Sequence, residues 1–144
     1  MDFKYQLILL GSFDGTENEI SDLFLKRLEE LKLQTNFYEI VYSRDFEDLY
    51  KGNQPTYIIY FGSQSGNFQD LDKIERLLNE GNMILPIFHN SFTAEIPEML
   101  GNQNGLRYTA NEKDKIVNLI LESFGKLRNT RKVFISYRRD QSTS

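Results

Sequence analysis

Cysteine is absent from the 144 residues, and histidine occurs once. The chain therefore has no disulfide, no thiolate metal site and no thiol nucleophile, and a metal centre would need carboxylates to complete what His89 could begin. No metal is expected. Long apolar runs are missing as well: Leu7 to Leu10 is too short for the core of a signal sequence or for a membrane span. Neither secretion nor membrane insertion is expected, and the cytoplasm is the expected compartment. Basic charge is scarce over most of the chain. Residues 1–125 hold 11 Lys and Arg against 20 Asp and Glu, a balance of −9, whereas residues 126–144 hold six basic side chains and one acidic. A protein that tracks phosphates needs a positive face to release counterions, so no nucleic-acid partner is expected. Lys126, Arg128, Arg131 and Lys132 suit a helix end followed by a solvated linker.

What the sequence does contain is a regular alternation of short apolar runs and segments of helical period. With 40% apolar residues, a chain of this length buries one core, which predicts one domain over residues 1–128 and a tail over 129–144. Tyr5 to Leu10 predicts a first strand. Thr16 and Glu19, at capping-box spacing, open a helix whose apolar stripe runs through Ile20, Leu23, Phe24, Leu28 and Leu31. Phe37 to Tyr42 and Thr56 to Phe61 predict two more strands, with a short helix between them within Ser43 to Tyr50. Leu71, Ile74, Leu77 and Leu78 repeat at helical spacing, and Gly81 is placed to end that helix in a left-handed cap. Met83 to Phe88 is a fourth strand, a short helix is expected around Pro97, and Leu106 to Thr109 is a fifth strand. Ile116, Val117, Ile120, Phe124 and Leu127 mark a closing helix. Strict β–α alternation predicts a flavodoxin-like three-layer α/β/α fold around a five-stranded parallel sheet.

In such a sheet, ligands bind beyond the carboxyl ends of the strands. Three small polar loops fall there: Gly11-Ser12-Phe13-Asp14-Gly15, Gly62-Ser63-Gln64-Ser65-Gly66-Asn67 and His89-Asn90-Ser91. The candidate ligand-binding residues are accordingly Gly11, Ser12, Asp14, Gly62, Ser63, Ser65 and His89. Gly11 and Gly15 would let backbone amides approach a phosphate at a helix start, yet glycine and serine are equally the residues of ordinary βα turns. The spacing is neither G-x-G-x-x-G nor that of a P-loop. Asp70, Asp72 and Glu75 open a helix, where negative charge is stabilising in any case. The strand aromatics Tyr38, Tyr42, Tyr57, Tyr60 and Phe61 are expected to pack in the core and on the sheet faces.

The end of the chain is the most specific feature. Arg131-Lys132-Val133-Phe134-Ile135-Ser136-Tyr137-Arg138-Arg139-Asp140-Gln141-Ser142 resembles the first strand and following loop of bacterial TIR domains. Residues 71–127 carry a second resemblance to the back half of that fold. Gly81-Asn82-Met83-Ile84-Leu85-Pro86-Ile87-Phe88 is similar to its glycine-ended helix and I-P-V strand, and Ile96-Pro97-Glu98-Met99-Leu100 to its I/L-P-x-x-L segment. The resemblance implies a degenerate TIR-like domain ahead of the first strand of a second, truncated TIR domain. Members that hydrolyse NAD carry a glutamate about eight residues before that glycine; here Lys73 stands at the position, with Asp72 and Glu75 beside it. Three readings follow. The first is a non-catalytic sensing or self-association module of a bacterial TIR-domain signalling or immunity protein, needing no cofactor and partnered by a second copy or by a TIR domain in the same chain. The second is an NAD-hydrolysing domain using Glu75. The third is a SLOG-like Rossmann module that senses a nucleotide through the glycine loops.

The domain division has its own test. Deleting everything after Thr130 is expected to leave a chain that still melts cooperatively, and a non-cooperative melt would show that Lys132 to Tyr137 belongs to the fold.

Overall fold

Which residues alternate along the strands decides the layering. In β1 (Tyr5–Gly11), Tyr5, Leu7 and Leu9 belong to one apolar cluster, and Ile8 and Leu10 to another. In β3 (Thr56–Phe61), Ile59 and Phe61 join the first cluster, and Ile58 and Tyr60 the second. A strand apolar on both faces has to be covered on both. The computed structural model, which describes residues 5–11, 16–109 and 112–125, supplies the two covers. The predicted linker and strand at 129–144, and the loop residues Ser12 and Asp14, lie outside the described residues.

Three further strands, β2 (Tyr38–Tyr42), β4 (Ile84–Phe88) and β5 (Leu106–Arg107), complete a sheet of order β2-β1-β3-β4-β5. Every neighbouring pair is parallel, with Leu7 opposite both Ile40 and Tyr57 and Ile59 opposite Leu85. This is the expected flavodoxin-like architecture. Helix α1 (Thr16–Glu30) covers one face through Ile20, Phe24 and Leu28, beside helix α5 (113–125) with Ile116, Val117, Ile120 and Phe124. The short α2 (Phe46–Leu49) and α3 (Leu71–Asn79) cover the other through Phe46, Ile74 and Leu77, joined by Ile96 and Leu100. Among the described residues no helix is long and apolar enough to cross a membrane.

The helix ends follow local chemistry. Gly81 closes α3 at φ 88, with its own N–H bonded to Leu78 O (3.0 Å) and the Asn82 N–H to Leu77 O (3.1 Å), the paired bonds of a Schellman cap. Helix α1 ends by the same two bonds on Lys32, at φ 59, so the apolar stripe stops at Leu28 and Leu31 is 56% exposed. Phe37 was expected in β2 but closes a 3-10 turn, Thr35–Phe37, by donating to Gln34 O. The helix expected around Pro97 is split. Helix α4 (Phe92–Glu95) ends before it, Ile96 is extended (φ −113, ψ 134), and a 3-10 turn, Glu98–Leu100, follows. Proline crowds the residue before it out of the helical region, which accounts for the break. Strand β5 is two residues long rather than four.

At the amino-terminal end of the sheet, the aromatics pack ring on ring. Phe124 lies 5.4 Å from Tyr5, 5.5 Å from Tyr38, 6.1 Å from Phe24 and 6.3 Å from Tyr57 between centroids. Residues from three strands and helix α1 meet on this one ring of α5, which is 1% exposed. Replacing Phe124 by alanine should therefore cost about 3–5 kcal/mol of stability, measurable by denaturant unfolding; a loss under about 1 kcal/mol would mean that the cluster is loosely packed.

Candidate functional site

Parallel strands deliver their carboxyl ends to one edge, and there the described candidates Gly11, Gly62, Ser63, Ser65 and His89 come together. The closeness of β1 and β3 explains the first glycine. Gly11 pairs with Phe61 and has φ 80, and a Cβ built on it would lie 2.0 Å from the Phe61 carbonyl oxygen. No side chain fits. Gly62 is constrained in a different way: a Cβ there would approach Glu95 O to 2.7 Å and Ile96 Cδ1 to 2.8 Å. Both glycines are thus required by close packing of backbone, whatever may bind beyond them.

Among the described residues, most amides of these loops turn inward. Gly11 N–H donates to the Asp70 carboxylate (2.9 Å), Gly62 N–H to Ile87 O (2.9 Å), Ser63 N–H to Glu95 O (2.9 Å) and Gly66 N–H to Ser63 O (3.2 Å). Ser63 and Ser65 share a hydroxyl–hydroxyl bond of 2.9 Å, and Asn67 N–H is 3.4 Å from Ser65 Oγ. After β4, the amides of His89 (2.6 Å), Asn90 (2.8 Å) and Ser91 (2.9 Å) all donate to the Glu95 carboxylate. The His89 ring stands edge-on to Tyr108, 5.8 Å between centroids.

Two acids that sequence reading did not single out as site residues therefore organise the edge. Asp70 was expected only to place negative charge at the start of α3. It is the residue before that helix, in the left-handed region (φ 61), but its side chain makes no capping bond. It instead reaches Gly11 and accepts from the Ser43 hydroxyl at 2.5 Å. Lys73 Nζ lies 3.4 Å from the same carboxylate. Lys73, which the TIR resemblance sets at the position of that family's glutamate, is thus an ion-pair partner of Asp70. One residue upstream, Gln69 O accepts from the Tyr60 hydroxyl (3.0 Å). Burial raises the Tyr60 pKa to about 12, against the opposing effect of that bond, and the negative Asp70 nearby raises it further. The phenol stays a donor and holds the loop in place. Glu75, the candidate carboxylate of the NAD-hydrolysing reading, is exposed on α3.

Glu95 is 3% exposed. Burial pushes its carboxyl up, but the amides of His89, Ser91 and Asn90, with the charge of the His89 ring, outweigh that and hold it below its ordinary value. Its backbone carbonyl takes the Ser63 amide, so one residue ties the β3 loop to the β4 loop. The sequence offered no signal for this role beyond a glutamate four residues after Ser91, which caps α4 by accepting from Ala94 N–H at 3.3 Å. Among the described residues there is no group of three or more His, Asp or Glu side chains placed to hold a metal ion.

Glu95 carries a prediction about pH. A carboxyl whose folded pKa is depressed stabilises the protein fully above its unfolded value, here near 4.5, and that stabilisation is lost as the pH falls through the lower, folded pKa. Glu95→Gln should lower stability at neutral pH by about 1–3 kcal/mol, because a carboxamide turns donors toward amides that need an acceptor. The gap between the variant and the parent should close on acidification below pH 4.5. Unfolding curves at neutral and acid pH measure it, and a gap independent of pH would sink the assignment.

The chain was compared with protein-family models and with curated proteins: no family model matches it, and no curated protein does.

Proposed function

We propose that this chain is a non-catalytic, TIR-like sensing or self-association module of a bacterial TIR-domain signalling protein, acting through protein contacts rather than by turning over a nucleotide. The observation that supports this reading most directly is the inward use of the strand-end amides. Phosphate-binding edges work because loop N–H groups are left pointing at the anion. Here the Gly11, His89, Asn90 and Ser91 amides go to the protein's own carboxylates, and those of Gly62, Ser63 and Gly66 to its own carbonyls. An incoming phosphate would meet Asp70 and Glu95 already seated on those donors.

The reaction chemistry points the same way. Stabilising a ribosyl cation needs a carboxylate at the helix position that Lys73 occupies, and Lys73 is already ion-paired with Asp70. The sequence of residues 131–142, which resembles the first strand and loop of a TIR domain, supplies the link to signalling by resemblance. A domain of this kind acts by presenting a surface, and the partner expected is a second copy or a neighbouring TIR domain.

Two measurements on the purified chain test the reading. Incubation with NAD, followed by chromatography of the products, is expected to show no turnover, and Glu75→Gln should change nothing. Calorimetry with NAD, ADP and cyclic nucleotides is expected to show no heat of binding for the parent or for Ser63→Arg. Turnover abolished by Glu75→Gln would establish the NAD-hydrolase reading instead, and nucleotide binding abolished by Ser63→Arg the nucleotide-sensing one.

A further inference from the structure

The polar loop Gly101-Asn102-Gln103-Asn104-Gly105 leads from the 3-10 turn Glu98–Leu100 into β5. Its Gln103 Oε1 faces the Ile84 N–H at 3.4 Å, and Pro86 has no N–H to offer, so β4 is blunted on this side except where Ile87 and Phe88 pair with β5. The loop also holds the chain's single Asn-Gly step, Asn104-Gly105. Asparagine is thermolabile because its carboxamide carbon lies within reach of the next residue's backbone nitrogen. A side chain on that next residue hinders the approach, and glycine has none. Asn90-Ser91, with the next smallest follower, ranks second in the sequence. The fold widens the difference between them. The Asn90 and Ser91 N–H groups are both held by the Glu95 carboxylate, at 2.8 and 2.9 Å, which occupies the nitrogen that would attack. Asn104 and Gly105 are exposed and lie outside any helix or strand, and among the described residues neither the Asn104 carboxamide nor the Gly105 N–H is hydrogen-bonded.

We propose that Asn104-Gly105 is a site of spontaneous covalent modification, at which the folded chain loses ammonia and becomes isoaspartyl, and that the change loosens β5 from β4. The Gly105 nitrogen attacks Cγ of Asn104. A new N–Cγ bond closes a five-membered succinimide, the Cγ–Nδ2 bond breaks, and the Gly105 amide proton leaves with the side-chain nitrogen as ammonia. Water then opens the ring. Cleavage at Cγ returns an aspartate in an ordinary chain, whereas cleavage at the main-chain carbonyl carbon of residue 104 leaves the backbone running through Cγ, one methylene longer. That methylene enters two residues before β5, where space is short. Gly105 is seated against an aromatic pair: a Cβ built on it would lie 2.6 Å from Phe92 Cε2 and 3.3 Å from Phe88 Cε1. The longer chain cannot move inward, so it carries Gly105 outward together with the strand it leads into. That strand has little to resist with. It is held by the pairing of Leu106 with Ile87 and Arg107 with Phe88, followed by the Tyr108 N–H on Phe88 O at 2.7 Å.

Incubating the whole chain at mildly alkaline pH, folded and unfolded in guanidinium, with mass spectrometry of its peptides over time, tests the proposal. The peptide holding Asn104 is expected to gain the mass that exchanges NH2 for OH at the same rate in both states, because the fold gives this step no protection. Asn90 should react roughly tenfold or more slower when folded, since a carboxylate holds the neighbouring N–H. Asn104→Gln would have to close a larger ring; it replaces an exposed, unbonded side chain, and it should abolish the gain at position 104 while leaving the fold intact. Hydrogen exchange at the Tyr108 amide should be faster in aged parent than in Asn104→Gln aged alongside it. A folded chain that keeps Asn104 unchanged while the unfolded chain reacts there, or one in which Asn90 reacts first, overturns the site. A gain at Asn104 with unchanged exchange at Tyr108 overturns the loosening of β5.

Discussion

A parallel sheet sets a local problem at its carboxyl edge: every strand stops on the same side, and each leaves backbone amides that must find an acceptor. In many proteins of this architecture the shortage is met by a ligand. Among the described residues of this chain it is met largely from within. Asp70 bonds the last amide of β1 and the hydroxyl of Ser43 just after β2, and Glu95 bonds three successive amides after β4. The conformation of the edge depends on these two acids. The left-handed backbone of Asp70, uncommon for a residue other than glycine, accompanies the side chain that reaches Gly11.

Because the two acids act on different loops, the edge is cross-braced. Asp70 joins the ends of β1 and β2 to the approach to α3, while Glu95 joins the loops after β3 and β4 through its carboxylate and its carbonyl. Gly11 and Gly62 let backbones approach closely enough for the bracing to work. Elsewhere the two faces of the sheet are held by different chemistry. On the α1 and α5 face, stacked aromatics gather around Phe124. On the other, Arg76 lies over the rings of Phe46 and Tyr50 while pairing with Glu47 and Glu80, and so clasps α2 to α3.

Much of the fold was legible in the residues because it depends on short-range pattern. Apolar and β-branched runs in Tyr5 to Leu10 and Thr56 to Phe61, helical spacing in Leu71 to Leu78 and a glycine at position 81 all act over a few residues, and all hold. What sequence reading misplaced lay where a local signal met a competing one. Leu31 continues the apolar stripe of α1 by spacing, yet the chain turns at Lys32 and leaves it exposed. Pro97 sits in an apolar segment of helical look, but its ring excludes the residue before it from the helix. The candidate edge was legible in part. Topology alone brings Gly11, Gly62, Ser63 and His89 together, but their amides are satisfied by Asp70, 59 positions from Gly11, by Ile87 O, and by a glutamate on a four-residue helix. A hydrogen bond between distant residues leaves no period and no motif to read.

The blunted β4–β5 side fixes how far any strand addition could proceed. A sheet with two open edges is a monomer for an endless ribbon, since every added copy brings a fresh edge. Here Pro86, Gln103 and the two-residue β5 close one side, so no further strand is taken up along most of β4. A ribbon grown edge to edge needs both sides of every sheet, so blunting one side is enough to keep this sheet from seeding a fibre.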